Sequence, residues 1–411
     1  MSAFSQTSRT TKLALTDDQK IMYRSEKLMN FRWIASVLST YAPYTLTSGD
    51  LVTPAVQQYI SDIGQFAEIV YALQTELPAK FLFDNLNALL EPTMPLEGYN
   101  YIRDTVLITS FVGSAANLPG YIAYRSESKQ LVLATAGTSS ATQAIYDLRA
   151  LMHRHKSKHG YVHTGFWQLY KGMKHLALEG VRNGIAQHDV QELVITGHSM
   201  GAAVSQLFLL ELLRDDSLLP LQEIRIRYVG FGGPRSGTKD LVQYWQELIK
   251  QWRQKHGDDS IEEYSVKMYN DGVPSLPPMS FGYRHYCQRP YYFLHGRLYH
   301  VPDGYSEYSL FHATSDEEDE KPPIHPRGGH NYYNGRDMER FARRAGWLDR
   351  VLKKEGDWRE LYRAKVAKHE ANTSSHLSTN AWPSPMQLDL QASPDWGSSS
   401  NRASHNGESP P

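Results

Sequence analysis

The sequence has almost no cysteine and no long apolar run. It contains a single cysteine, Cys287, in 411 residues. One cysteine cannot form an internal disulfide, so small disulfide-stapled scaffolds and zinc sites built from several cysteines are excluded. No stretch approaches the roughly 20 apolar residues that a membrane-spanning helix needs. We therefore expect no transmembrane segment.

The chain also lacks an excess of either charge. It has 43 Lys and Arg against 44 Asp and Glu, a net charge of −1. Proteins that bind nucleic acids electrostatically usually present a basic face, so no nucleic-acid partner is expected. The first 20 residues contain no apolar run of the length that a signal peptide requires. Together with the missing disulfides, this predicts a cytoplasmic protein, with association at a lipid droplet or membrane surface left open.

The spacing of apolar residues changes along the chain and indicates an α/β protein. Apolar residues recur at helical spacing over 54–75 and 165–185, and two β-type runs surround a polar turn in 120–137. From residue 165 onward, strands alternate with helices, which is typical of crossover units and a largely parallel sheet. The remaining predicted elements are strands at 192–196, 224–231 and 264–270 and helices at 201–213, 239–254 and 336–354.

Composition divides the chain into segments. We predict a flexible N-terminus (1–15), a helical segment (16–54), one large α/β domain (55–355) and a disordered Ser/Pro-rich tail (371–411). Residues 284–328 are rich in Tyr, His and Pro, contain the acidic run 315–320, and are interpreted as a long insertion or loop. Its aromatic residues either wall a substrate groove or form a cluster that covers the sheet.

Residues 197–201 form a candidate nucleophile turn. The pattern Gly197-His198-Ser199-Met200-Gly201 lies between a short apolar strand and an apolar helix. This is the G-x-S-x-G context in which a sharp turn exposes a serine at the N-terminus of a helix. Backbone N–H groups and the helix dipole then face a developing oxyanion. The alternative for this motif is a glycine-rich turn that only serves packing. For His198, we favour a packing role over a catalytic one.

A nucleophilic serine needs a base and an orienting carboxylate. Asp271 follows a predicted strand, where a carboxylate reaches the same rim as Ser199, although Asp271-Gly272 also suits a simple turn. The sequence identifies the histidine that would act as the base less clearly. His330 lies on a glycine-flanked loop before the closing helix and is one of several candidates: His285, His295, His300, His312, His325 and His330.

Several ordered blocks resemble the class 3 lipases, the fungal triacylglycerol lipase family. They cover about residues 55–350 and are LVLATAGTSS (131–140), ATQAIYDL (141–148), YVHTGFWQLY (161–170), the GHSMG turn, YVGFGGPRSG (228–237), NDGVPSLPP (270–278) and GGHNYY (328–333). Ala136 replaces the arginine that the family usually carries before the oxyanion glycine.

The resemblance implies an α/β-hydrolase fold with a mostly parallel central sheet flanked by helices, a lid segment, and an insertion before the catalytic histidine. It implies a carboxylic ester hydrolase acting on acylglycerols or other fatty-acyl esters. By position, Ser199 is the nucleophile, Asp271 the orienting acid and His330 the base. The backbone N–H groups of Thr138 and Met200 form the oxyanion hole. No cofactor or metal is expected.

The lid region and the substrate class leave alternatives open. Residues 141–148 resemble the family's lid helix, and the basic segment 149–165 is either the cationic flank of a lid that contacts lipid surfaces or, as we prefer, a solvated connection. Phospholipids and non-lipid esters are alternative substrates. A non-catalytic interaction protein that keeps the fold is the alternative from another functional class.

Overall fold

The structure is a computed structural model of the chain. It describes residues 38–75, 77–91, 99–137, 151–221, 223–269, 271–294, 296–314, 329–338, 340–354 and 356–376. The chain divides into two compact units, residues 1–354 and 355–411. The second unit contributes one helix to the described residues, Trp358–His376, and the architecture below is that of the first unit.

In the described residues, helices and strands alternate from residue 165 onward, as the sequence predicts. The strands are, in chain order, β1 Tyr41–Leu46, β2 Thr105–Val112, β3 Pro119–Arg125, β4 Gln130–Thr135, β5 Met152–Arg154, β6 Tyr161–His163, β7 Glu192–His198, β8 Arg225–Phe231, β9 Gly237–Thr238, β10 Ile261–Met268, β11 Tyr283–Arg284, β12 Tyr291–Leu294, β13 Arg297–His300, β14 Leu310–Ala313, β15 Tyr332–Tyr333 and β16 Arg336–Asp337. The α-helices of the first unit are α1 Pro54–Ile69, α2 Ala79–Asp84, α3 Leu86–Leu89, α4 Thr164–Gln187, α5 Met200–Arg214, α6 Lys239–His256 and α7 Arg340–Leu352. Short 3-10 helices are Ser48–Asp50, Val70–Thr75, Asn100–Ile102, Asp258–Ser260, Val273–Ser275, Met279–Phe281 and Gly329–Asn331.

An eight-stranded mixed sheet organises the first unit. Its spatial order is β13-β12-β10-β8-β7-β4-β3-β2. The five strands from β12 to β4 are parallel to their neighbours, and antiparallel pairs extend both edges. The predicted, mostly parallel sheet is therefore confirmed. Parallel strands end at the same edge, so the turns after β4, β7, β8 and β10 converge there.

One apolar core joins the sheet to helices α4, α5 and α6. Strands β4, β7 and β8 are almost entirely buried, as expected for parallel strands covered by helices. The α5 helix is buried along nearly its whole length, which explains why its sequence is apolar on every face. Large fully buried side chains in this core include Tyr170, Phe208, Tyr228, Trp245 and Tyr286. This packing holds the loops at the strand ends in fixed positions.

The predicted elements from 54 to 75 and from 120 to 137 are also present. Pro54 begins α1, where the side chain of Thr53 accepts a hydrogen bond from the N–H of Val56. The predicted hairpin is β3 and β4, joined at Ser126–Lys129, with Lys129 at positive φ. None of the helices in the described part of the chain has the length and apolar character needed to cross a membrane.

Two sequence predictions differ from the structure. Residues 41–46, inside the predicted helical segment 16–54, form strand β1 paired with β14; residues 1–37 of that segment and of the flexible N-terminus lie outside the described residues. The insertion 284–328 is not simply a loop, because it contributes β12 and β13 to the main sheet. Its acidic run 315–320 lies outside the described residues.

Most of the aromatic residues of the insertion belong to the sheet edge and to a second apolar cluster. Tyr292 and Tyr299 are cross-strand partners on β12 and β13 and are both buried. They pack with Ala42, Leu46, Tyr269, Leu294, Val301 and Phe311. The structure therefore favours the covering cluster over the groove wall. Tertiary packing outweighs the loop-like composition here, because β-branched and aromatic residues fit a half-buried strand.

A buried carboxylate ties the β5–β6 hairpin to α5. Glu211 receives hydrogen bonds from His155 Nε2 (3.1 Å) and Arg214 Nε (3.0 Å) and forms an ion pair with Lys156. Burial by itself raises the pKa of Glu211, but the bonds from His155, Lys156 and Arg214 outweigh it and lower the pKa to about 2. The basic segment after residue 150 is thus anchored at His155 and Lys156, and is not simply a solvated connection.

We expect Glu211→Gln to lower the free energy of unfolding by about 2–4 kcal/mol, because it leaves three basic groups around a buried position without their anion. Urea titration at pH 7 measures the change. The unfolded pKa is near 4.5, so the difference from wild type should be constant above about pH 5. It should shrink as the pH falls from 4.5 toward 2.

The matched control is Asp216→Asn, which neutralises an exposed pair with Lys255 (2.8 Å). It should lower the free energy of unfolding much less than Glu211→Gln does, since both groups are solvated. Equal effects of the two substitutions would refute the structural role of Glu211.

Candidate active site

Ser199 lies at the sharp turn between β7 and α5. Its backbone has φ 59° and ψ −128°, a conformation that L-residues rarely adopt. The Ser199 N–H donates to the carbonyl of Phe231 (2.8 Å), at the end of the neighbouring strand β8. The flanking glycines are sterically required: a Cβ on Gly197 would lie 2.6 Å from the carbonyl carbon of Gly201, and a Cβ on Gly201 would meet the carbonyl of Thr135. The turn holds the Ser199 side chain above the sheet edge.

Asp271 follows β10 at the same edge and is completely buried. Its Oδ1 accepts a hydrogen bond from the N–H of Val273 (2.8 Å), and its Oδ2 accepts one from the Tyr333 hydroxyl (2.5 Å). Burial, with the nearby Asp271 charge, raises the pKa of Tyr333 well above its usual value, so the phenol stays protonated and donates. Asp271 therefore makes a turn and also presents an oriented carboxylate.

His330 lies between Ser199 and Asp271. Its Nδ1 is 2.8 Å from Asp271 Oδ2, and its Nε2 is 2.8 Å from Ser199 Oγ. The carboxylate can only accept, so a neutral imidazole carries its hydrogen on Nδ1 and leaves Nε2 to accept from the serine hydroxyl. Of the candidate histidines, the structure brings His330 to this position. His285, His300 and His312 have other contacts, and His295 and His325 lie outside the described residues.

His198 supports this arrangement from behind. Its Nε2 faces the carbonyl of His330 (2.8 Å), so Nε2 carries the hydrogen, and its Nδ1 accepts from the Tyr71 hydroxyl (2.6 Å). Burial, with the neighbouring His330, lowers the pKa of His198 well below its usual value, so it is neutral. This packing and hydrogen-bonding role agrees with the favoured interpretation of the sequence.

The oxyanion residues are only partly described. Met200 is the first residue of α5, where a backbone N–H has no partner within the helix. Gly137 lies against the turn, since a Cβ there would be 3.1 Å from Ser199 Cβ. Thr138 and the lid-like segment 141–148 lie outside the described residues. The roles of Thr138 and Met200 stay predictions.

Sequence reasoning gave no role to two tyrosines at the site. Tyr333 is the last residue of the quoted GGHNYY block, and that block was the available signal. No sequence signal indicated Tyr71, because its contact with His198 joins residues 127 positions apart. In the part of the chain that the structure describes, no three His, Cys, Asp or Glu side chains are grouped to hold a metal ion.

The chain resembles known lipases in sequence. The model of the lipase (class 3) family matches residues 132–281. A lipase of Rhizopus niveus is 28% identical over 186 residues, which are 45% of this chain and 44% of that protein. The secreted mono- and diacylglycerol lipase 1 of Fusarium solani is 26% identical over 193 residues, 46% of this chain and 52% of its own length. The chain thus spans about half the length of these curated relatives.

Solved structures show the same fold. The lipase from Rhizopus microsporus var. chinensis superposes with a TM-score of 0.52 at 19% identity, covering 70% of this chain and 90% of that one. The Rhizomucor miehei lipase in its propeptide complex gives a TM-score of 0.53 at 18% identity, with 73% and 87% coverage. The predicted α/β-hydrolase fold is confirmed.

The prediction of a cytoplasmic protein is wrong. Relatives from Fusarium solani and Penicillium cyclopium are named as secreted lipases. The prediction depended on the single cysteine and on the lack of an apolar run in the first 20 residues. A domain of this size buries enough apolar surface to be stable without disulfides, so a lack of cysteine does not indicate the compartment.

Proposed function

We propose that the protein is a serine hydrolase that cleaves carboxylic esters of fatty acids, because residues 132–281 match the model of the lipase (class 3) family. The observation that carries the proposal is the continuous hydrogen-bond chain Ser199–His330–Asp271, with both distances 2.8 Å. It supports catalysis over the alternative of a non-catalytic interaction protein, because each polar atom has the partner that nucleophilic catalysis needs.

The geometry supports the roles of Ser199, His330 and Asp271 in the proposed reaction, and the family resemblance supports those of Thr138 and Met200. His330 Nε2 takes the proton of Ser199 as Oγ attacks the ester carbonyl, and Asp271 stabilises the imidazolium that forms. The backbone N–H groups of Thr138 and Met200 hold the tetrahedral oxyanion, each donor contributing about 2.7–4 kcal/mol in the transition state. His330 then protonates the leaving alcohol. Water, activated by the same base, hydrolyses the acyl-enzyme and regenerates Ser199.

An exposed apolar surface supports contact with a lipid surface during this reaction. The Tyr283 hydroxyl donates to the carbonyl of Leu151 (3.1 Å), which brings the start of β5 beside the 3-10 helix Met279–Phe281. Arg154 is also exposed, and a cationic residue beside apolar side chains suits an anionic lipid surface. The large apolar side chains exposed here are Leu151, Met152, Tyr161, Met279 and Phe281.

The proposed substrates are mono-, di- and triacylglycerols, with phospholipids and non-lipid esters as alternatives. Secreted mono- and diacylglycerol lipases are among the relatives. We expect the purified protein to release fatty acid from emulsified acylglycerols faster than from phospholipid vesicles or from feruloyl esters. Titration of the released acid at constant pH measures all of these rates. A folded protein that hydrolyses none of these esters, with or without detergent micelles, would overturn the proposal and favour the non-catalytic alternative.

A further inference from the structure

We call residues 271–278, which begin at Asp271, the acid loop. Each backbone carbonyl from residue 274 to residue 277 accepts a hydrogen bond from a residue outside this loop. Arg235 donates from its backbone N–H to one carbonyl and from Nη1 to two others, and His285 Nε2 donates to a fourth. In order, the accepting carbonyls are those of Pro274 (2.8 Å, His285), Ser275 (2.5 Å, Arg235), Leu276 (2.7 Å, Arg235 backbone) and Pro277 (3.0 Å, Arg235). Two residues from outside the loop thus determine its path.

Arg235 is itself held by Glu307, which lies between β13 and β14. Arg235 Nε donates to Glu307 Oε2 (2.6 Å), and Nη2 donates to the Glu307 carbonyl (2.7 Å). The other carboxylate oxygen, Oε1, accepts from the N–H of His285 (2.9 Å). The Arg235 side chain is 4% exposed and that of Glu307 is 18% exposed, so water screens this ion pair weakly. Glu307 therefore orients both residues that hold the acid loop.

Lys267 fixes the backbone on both sides of Glu307. Lys267 belongs to β10, the strand that leads to Asp271, and its Nζ donates to the carbonyls of Ser306 and Tyr308 (2.7 Å for the latter). The side chain is buried. The segment that carries Glu307 is thereby attached to the same strand that carries the acid, so the acid loop, Arg235 and Glu307 form one unit.

We propose that Arg235 and Glu307 are positioning residues for Asp271, and that their ion pair keeps the acid carboxylate aligned with His330. The proposal rests on the proposed function. Asp271 Oδ1 is bonded to the N–H of Val273 in the same loop, so displacement of the loop moves the carboxylate with it. Glu307 comes from the insertion before His330, so this segment acts on the catalytic acid from a distance.

The test is Glu307→Gln, which keeps the size of the side chain and removes its charge. We expect kcat per active site to fall about 10- to 100-fold with KM changed less than about threefold, since small displacements of catalytic groups have effects of this size. Active sites are counted by titration with a fluorophosphonate.

The matched control is Asp303→Asn in the same insertion. Asp303 forms an equally well-aligned pair with Arg289 (2.6 and 2.8 Å), but both side chains are about two-thirds exposed or more, and this pair is not one of the bonds that hold the acid loop. We expect wild-type kcat and KM for Asp303→Asn. Glu307→Asp keeps the charge and should recover part of the activity, and it replaces Glu307→Gln if that variant does not fold.

Two results would overturn the proposal. The first is a Glu307→Gln protein with fewer active sites but wild-type kcat per active site, which would make the ion pair purely structural. The second is an effect of Asp303→Asn as large as that of Glu307→Gln. In both cases the wild type still hydrolyses esters and the proposed function stands. A wild type without turnover on any ester would remove both proposals together.

Discussion

Replacing Ser199 by alanine is expected to lower kcat about 10⁶-fold and to leave the fold intact, because the alcohol that forms the acyl-enzyme is lost. The backbone contacts of the turn do not involve Oγ: the Ser199 N–H still donates to Phe231, and α5 remains packed in the core. The measurement is labelling with a fluorophosphonate probe, wild type beside variant, together with ester turnover. Unchanged circular dichroism shows that the fold persists.

The control for this substitution is Ser217→Ala, at an exposed serine that contacts only Asp215 among the described polar groups. It should label and turn over as the wild type does. Turnover retained by Ser199→Ala would contradict the proposed nucleophile. A well-folded wild type that is not labelled, even with detergent micelles, would favour the alternative of a non-catalytic interaction protein.

Replacing His330 by alanine is expected to lower kcat by a comparable factor, about 10⁵- to 10⁶-fold, because members of a catalytic triad act as a unit. The serine would keep its position but lose the acceptor 2.8 Å from Oγ. Fluorophosphonate labelling should slow in parallel, since the reaction of the probe also needs the base. Rates of labelling and of ester hydrolysis, both per folded molecule, measure the effect.

His300→Ala is the control among the candidate histidines. His300 is exposed on β13, and its ring lies tilted against that of Tyr291 (4.6 Å between ring centroids), away from the hydrogen-bond chain. Its removal should leave turnover unchanged. A severe loss in His300→Ala with normal activity in His330→Ala would mean that the base had been assigned to the wrong histidine.

Local patterns were sufficient for the nucleophile and its supporting elements. A short apolar strand, a glycine-bounded serine and a helix that is apolar on every face each indicate one conformation, and they agree with one another. The same reasoning missed β2, although TVLITSFV (105–112) has the β-branched and aromatic residues of a strand. It also missed the β12–β13 hairpin, whose strands YYFL and RLYH flank a two-residue connection that contains Gly296.

Contacts between distant residues could not be predicted in this way. The pairing of Glu307 with Arg235 joins positions 72 apart, and the bond between Tyr71 and His198 joins positions 127 apart. No periodicity encodes such partners, because they depend on how the whole sheet and its insertion are assembled. His330 was selected through the family resemblance, since its residue type and local loop distinguished it only weakly from five other histidines.

The distance along the chain between the parts of the site also determines when they meet. His330 follows Ser199 by 131 residues and Asp271 by 59. The ribosome synthesises the chain from its N-terminus, so Ser199 is made long before His330. Under the proposed function, a nascent chain that ends before residue 330 has no base for the serine. Because closing such long loops is among the slower steps of folding, we expect ester hydrolysis to begin only after Ser199, Asp271 and His330 have been brought together.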